Sequence, residues 1–129
     1  MIPIRPALTR LDHVQLSMPK GGEDDARAFY SLLLGLREIE KPATLKAQGG
    51  CWFTNGYVNI HLGADPDFLP ARRAHPAFRT SAIDKLAADL HGAGYPIKWN
   101  RALSSQQRFH THDPFGNRLE FVAETDMPI

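Results

Sequence analysis

The stretch DPFGNRLEFVAE, residues 113–124, decides how the chain is to be read. Its first five residues carry the Pro and Gly of a hairpin connection. The rest reads as a strand, with Leu119 and Phe121 on one face and Arg118, Glu120 and Val122 on the other. Glu120 is the odd member. Either it faces water on a half-buried strand, or it faces a cavity and binds something positive there.

Working outward, QRFHTH (107–112) is the other arm of the hairpin. SAIDKLAADLHGAG (81–94) precedes it with a helical stripe of Ile83, Leu86, Ala87 and Leu90. Ser81 with Asp84 resembles a capping box, and Gly92 or Gly94 closes the helix. HPAFRT (75–80) is a strand ahead of that helix. The first half repeats the order. LDHVQLSM (11–18) alternates as a strand, and GEDDARAFYSLLLG (22–35) is a helix opened by Glu23, Asp24 and Asp25 and ended at Gly35. YVNIHLG (57–63) alternates again. Strand, helix and strands thus occur twice, each time over about half the chain.

The polar strand residues follow the repeat. His13 lies in the first strand of one half and His75 opens the first strand of the other. His61 and Glu120 lie in the last strands, 48 and 45 residues further on. Imidazole nitrogens and carboxylate oxygens are the ligand set of Zn, Ni, Co, Mn and Fe(II). A cation also answers the question posed by Glu120, because a buried carboxylate is costly without one. Two modules related by a local twofold would bring His13, His61, His75 and Glu120 together. His110 shares a strand face with His112 and is expected to stand behind such a site rather than in it.

Composition narrows the function classes. The chain has 129 residues, 43% hydrophobic and 22% charged, with formal net charge +1. That suits one compact domain and shows no basic run for nucleic acid or an anionic membrane. No apolar stretch approaches the roughly 20 residues of a bilayer span. MIPIRPALTR (1–10) lacks a signal-peptide core, and a single cysteine, Cys51, suits a reducing compartment. The expectation is a cytoplasmic protein with Cys51 buried in the apolar run CWFT.

The motifs LDHVQL, FYSLLLGL, VNIHLG, AHPAFRTSAIDKLAADLHGAG and HDPFGNRLEFV resemble the vicinal oxygen chelate superfamily, which includes glyoxalases, bleomycin resistance proteins and extradiol dioxygenases. The resemblance spans about residues 9–124. It implies an α+β fold in which two βαβββ modules, about 9–64 and 74–124, form a cup-shaped mixed sheet within one glyoxalase-like domain. It also implies a homodimer with metal sites near the subunit interface, where His13 and His61 would meet His75 and Glu120 of a second copy.

The implied activity is that of a metal-dependent lyase or isomerase acting on a small molecule that chelates the ion through vicinal oxygens. Glu120 is the expected base. Gln15, Asn59, Arg79, Arg108 and Arg118 are the expected substrate contacts, an arginine in the cup being suited to a carboxylate, phosphonate or phosphate. Trp52, Phe53 and Phe109 are candidate apolar walls. If His61 does not coordinate, the remaining two histidines and one carboxylate would suit an Fe(II) extradiol-type dioxygenase. A non-catalytic drug- or toxin-binding resistance protein is the third class. The match to glyoxalase I is incomplete: Ser17 and Asp65 stand where that enzyme carries a glutathione-binding arginine and an asparagine, and His61 replaces a glutamate ligand. This weighs against glutathione as the thiol.

Overall fold

The computed structural model describes residues 5–100 and 107–124. The start of the stretch MIPIRPALTR read for a signal peptide, residues 1–4, lies outside the described residues. In order, the elements are β1 (Val14–Met18), α1 (Glu23–Ala26) running into a π-helical stretch (Arg27–Leu33), β2 (Arg37–Ile39), a 3-10 stretch (Ala43–Gln48), β3 (Cys51–Thr54) and β4 (Asn59–Ala64). The second series is β5 (Ala77–Thr80), α2 (Ile83–Gly92), β6 (Lys98–Trp99), β7 (Arg108–His112) and β8 (Arg118–Ala123).

The repeat is a repeat of topology. One sheet has the order β1-β4-β3-β2 and the other β5-β8-β7-β6. In each, the first strand lies parallel to the last, and the remaining pairs run antiparallel. The result is the expected α+β, glyoxalase-like arrangement of two mixed sheets.

Alternation sorts the side chains as periodicity requires. Met18, Phe53, Ile60, Leu62, Phe109, Leu119 and Phe121 lie in a common core with Ala26, Phe29 and Tyr30 from the first helix and Ile83, Ala87 and Leu90 from the second. Each fully buried aromatic or leucine side chain contributes about 1.5–3 kcal/mol relative to exposure. The opposite faces carry His61, Trp52 and Gln15 in one sheet, and Glu120, His110 and Arg108 in the other.

The hairpin motif does more than turn the chain. Asp113 is fully buried. Its Oδ1 accepts from the backbone N–H groups of Phe115 (2.9 Å) and Asn117 (2.8 Å), and its Oδ2 from the Tyr30 hydroxyl (2.7 Å) and Asn117 Nδ2 (2.9 Å). Asn117 Nδ2 also donates to the Ser17 carbonyl at 2.7 Å. Four donors hold a buried carboxylate that has no basic side chain among these partners. The network ties the first helix and β1 to the β7–β8 turn. Burial, then the adjacent Asp113 charge, pushes the Tyr30 hydroxyl well above its ordinary pKa.

Three details differ from the sequence reading. Ser81 does not cap α2: Ala82 is the N-cap, and the Thr80 hydroxyl accepts its N–H at 3.1 Å. The local ST turn from the end of β5 competes successfully with the capping box. His13 and His75 lie just before β1 and β5 rather than within them, although the Glu120 N–H still donates to the Pro76 carbonyl at 3.1 Å. The short strand β2 and the 3-10 stretch had no periodic signal, because three to six residues cannot establish a period.

Candidate metal and substrate site

The second sheet gathers a compact polar cluster. Register places His110 directly opposite Glu120 across the β7–β8 hairpin, and Ala77 beside Glu120 on β5. Glu120 is 6% exposed, which excludes the solvent-facing reading. Its Oε1 lies 2.9 Å from His75 Nε2 and 3.3 Å from His110 Nε2, and its Oε2 accepts from Arg108 Nη1 at 2.9 Å. Burial works to raise the Glu120 pKa. The His75 hydrogen bond and the His110 and Arg108 charges outweigh it and hold the carboxyl below its ordinary range. Burial likewise lowers the His110 pKa, with Glu120 opposing.

His75 is held at both nitrogens. Nδ1 lies 2.7 Å from the Arg73 carbonyl, which can only accept, so Nδ1 bears the proton. In a neutral ring Nε2 is then a bare lone pair, yet it faces an ionised carboxylate. Two acceptors at 2.9 Å require either a second proton on the ring or a cation between them. A carbonyl behind Nδ1 is also the usual support of a ligating histidine. The donor set therefore fits a divalent ion.

The first sheet is arranged differently. His13 is 2.8 Å from Asp12 through Nδ1, again leaving Nε2 available, and it stacks on His61 with ring centroids 4.1 Å apart. Trp52 stacks on His61 at 3.9 Å and 4°. Burial, followed by the neighbouring His13 charge, lowers the His61 pKa. The hydrogen bond with His13 leads the lowering at Asp12.

Within one chain the four expected ligands fall into these two separate groups. Among the described residues, His75, His110 and Glu120 form a cluster whose ligand atoms all lie within 4.8 Å of one another. His110 thus stands in direct contact with Glu120, closer in than its expected place. Counting outward from DPFGN pairs residue 112 with 118 and 110 with 120, so the sequence held the signal.

The expected substrate contacts divide as well. Gln15 registers with His61 and shares its face. Asn59 is occupied by the framework, its Nδ2 donating to the Asp12 carbonyl (2.9 Å) and its Oδ1 accepting from Thr54 (2.7 Å). Arg79 donates to the Ala123 carbonyl at 3.2 Å, Arg118 to the Arg73 carbonyl at 3.3 Å, and Arg108 holds Glu120. Gln15, Ser17, His75 and Arg118 line a groove of about 480 Å³ between β1 and the approach to β5. A separate cavity of about 290 Å³, walled by Leu33, Leu34, Phe78 and Leu86, lies away from the polar clusters. Trp52 walls His61 as expected, whereas Phe53 and Phe109 belong to the core.

No family model matches the chain. A solved structure of a Bacillus anthracis protein described as a glyoxalase family member superposes with a TM-score of 0.88 at 43% identity, covering 95% of this chain and all of that one. This chain belongs to the glyoxalase family. It lies within the vicinal oxygen chelate superfamily, as the motifs implied. The family chain is also 28% identical to the Arabidopsis thaliana protein named Glyoxylase I 4, over 95% of its own length and 75% of that protein's. At the level of fold alone, this glyoxalase-family protein matches FosX, a fosfomycin resistance protein of Listeria monocytogenes solved with Mn(II) and a dihydroxypropylphosphonic acid. The TM-score is 0.75 at 16% identity, covering 92% and 95% of the two chains. No helix among its described residues is long and apolar enough to cross a membrane.

Proposed function

We propose that this protein is a divalent-metal-dependent lyase or isomerase acting on a small, oxygen-rich substrate that offers two adjacent oxygens to the metal. The observation carrying this reading is His75, whose Nδ1 is committed to a carbonyl while its Nε2 faces the ionised, buried Glu120. Zn, Ni, Co, Mn and Fe(II) all accept this donor chemistry. His75 and Glu120 would hold the ion. His13 and His61, each on the ligand-bearing face of the first module, complete the set from a second copy, so the working form is a homodimer of single-domain chains.

When bound, the ion supplies charge stabilisation to an oxyanion developing on the substrate. The chain's own residues do the rest. Glu120 accepts the proton lost next to the substrate carbonyl, and Arg108, bonded to Oε2, keeps that carboxylate oriented between turnovers. Arg118 and Gln15, on the groove, face an anionic or hydroxylated end of the substrate. Trp52, stacked on His61, lines a smaller adjoining cavity with Gln15 and offers the substrate a flat apolar surface there. Arg79 lines the separate apolar cavity and has no part in this site, whereas Asn59 acts by fixing the Asp12 carbonyl and so the His13 segment.

The test is metal analysis of gently purified protein, with turnover of α-hydroxycarbonyl and epoxide substrates measured under air and under argon. About one transition metal per chain, with activity equal in both atmospheres, is expected. Oxygen uptake with a catechol would replace this reading by an Fe(II) dioxygenase. Ligand binding that is indifferent to chelator and to Glu120→Gln would replace it by a non-catalytic resistance protein.

A further inference from the structure

We infer that Lys41 makes the site select for an anion, its ammonium receiving a carboxylate on the end of the substrate remote from the metal. The receiving recess, of about 130 Å³, is lined by Gln15, Lys41, Leu45, Gln48 and Trp52. This deepens the metal-enzyme reading and rests on it: the ion keeps the two vicinal oxygens, and the recess takes the charge.

Register sets the recess beside the ligand-bearing face of the first sheet. Gln15 and Trp52 pair with His61 from the strands on either side, so the three side chains share a face. Gln15 also lines the larger groove that holds Arg118, and so borders both spaces. The fit at this rung is close. A Cβ at residue 63 would meet Gln15 Nε2 at 2.7 Å, so the bare Gly63 is what lets that amide lie across β4. From the other side the 3-10 stretch brings in Leu45 and Gln48, and the Lys41 ammonium donates to the Gly49 carbonyl where that stretch ends.

Charge decides what the recess accepts. Two other cations of this module are already neutralised, Arg27 by Asp24 and Glu38, and Lys46 by Glu40. Lys41 is not. Its partner is a neutral carbonyl, and among the described residues no carboxylate lies within ion-pair distance of its nitrogen. An ammonium carries three donors, of which that carbonyl takes one. Half-buried and without a counter-charge, Lys41 gains most from an anion brought in by the ligand. Leu45 and Trp52 make part of the remaining lining apolar, which suits a flat hydrocarbon body between the chelating oxygens and the charge. The substrate class is therefore a small, flat carboxylate with vicinal oxygens at its other end.

The experiment is calorimetric binding of protocatechuate and of its uncharged amide to the Co(II)-loaded full-length protein under argon. The two probes share a ring and a pair of vicinal oxygens and differ by one charge. Wild type is expected to bind the carboxylate about tenfold or more tightly than the amide. Lys41→Met should erase that preference by weakening the carboxylate alone, and Lys41→Arg should keep most of it. The amide is the control for folding, since it lacks the charge that Lys41 reads. Wild type that binds neither probe, or both alike, overturns the inference, as does a preference that survives Lys41→Met. Equal weakening of both probes in Lys41→Met overturns it too, because the lysine would then be structural. Affinities unchanged when a chelator removes the ion overturn the metal reading, and the ratio between the probes then judges Lys41 separately.

Discussion

The two modules share a strand order and differ in what their concave faces hold. In the first, three flat rings stack, His13 on His61 on Trp52, with no buried acid among them. In the second, a buried carboxylate is ringed by two imidazoles and a guanidinium. Topology can be duplicated while electrostatics diverges, because the pleat dictates which residues face the cup and leaves their chemistry free. The first face carries stacked neutral rings and the second a buried charge.

The sharpest way to break this contrast is to delete the acid. Glu120→Ala should lower turnover by about 10³-fold, in line with loss of a general base. It should also destabilise the fold by about 3 kcal/mol in urea, because Arg108 and two histidines then crowd a site with no counter-charge.

The first sheet offers a test of packing rather than of charge. Gly50 sits at φ +86°, and a Cβ there would lie 2.0 Å from the Leu62 carbonyl oxygen. Gly50→Ala should therefore force β3 off β4, costing about 2–3 kcal/mol by denaturant unfolding. The Trp52–His61 stack should loosen with it, visible as changed tryptophan fluorescence.

The joint between the modules is the third test. Tyr30→Phe removes one of four donors to the buried Asp113 and should cost about 1.5–3 kcal/mol. Co(II) affinity should stay unchanged, since the Tyr30–Asp113 contact belongs to the frame and not to the cluster. The smallest effect concerns Cys51, in β3, whose thiol burial pushes up to about 11 from 9.0. A raised folded pKa adds stability that is complete below the unfolded value and is lost as pH rises through the folded one. Thiol reagents should thus leave the folded protein unlabelled at pH 8, and thermal stability should decline between about pH 9 and 11. Cys51→Ala should flatten that decline.

Much of this was readable in advance, for identifiable reasons. Alternation in RLEFV separated Leu119 and Phe121 from Glu120, because the strand period is short and one face is buried. The helix at 83–92 was legible from its stripe, and its start was not, because Thr80 and Ser81 offer competing hydroxyls and only tertiary position chose Thr80. Aspartate 113 read as a turn residue, and its burial beneath Tyr30, 83 residues away, had no local signal.

By itself the sequence determined the repeated strand order, the alternation that sets Glu120 apart from Leu119 and Phe121, and the superfamily the motifs resemble. Periodicity and motif spacing are local quantities that any reader of the chain can count. Only the tertiary structure decided that His13 and His61 stack apart from Glu120 and that His75 and Arg108 close upon it. Those contacts depend on register between strands and on the separation of two sheets, and such distances are fixed when the common core packs.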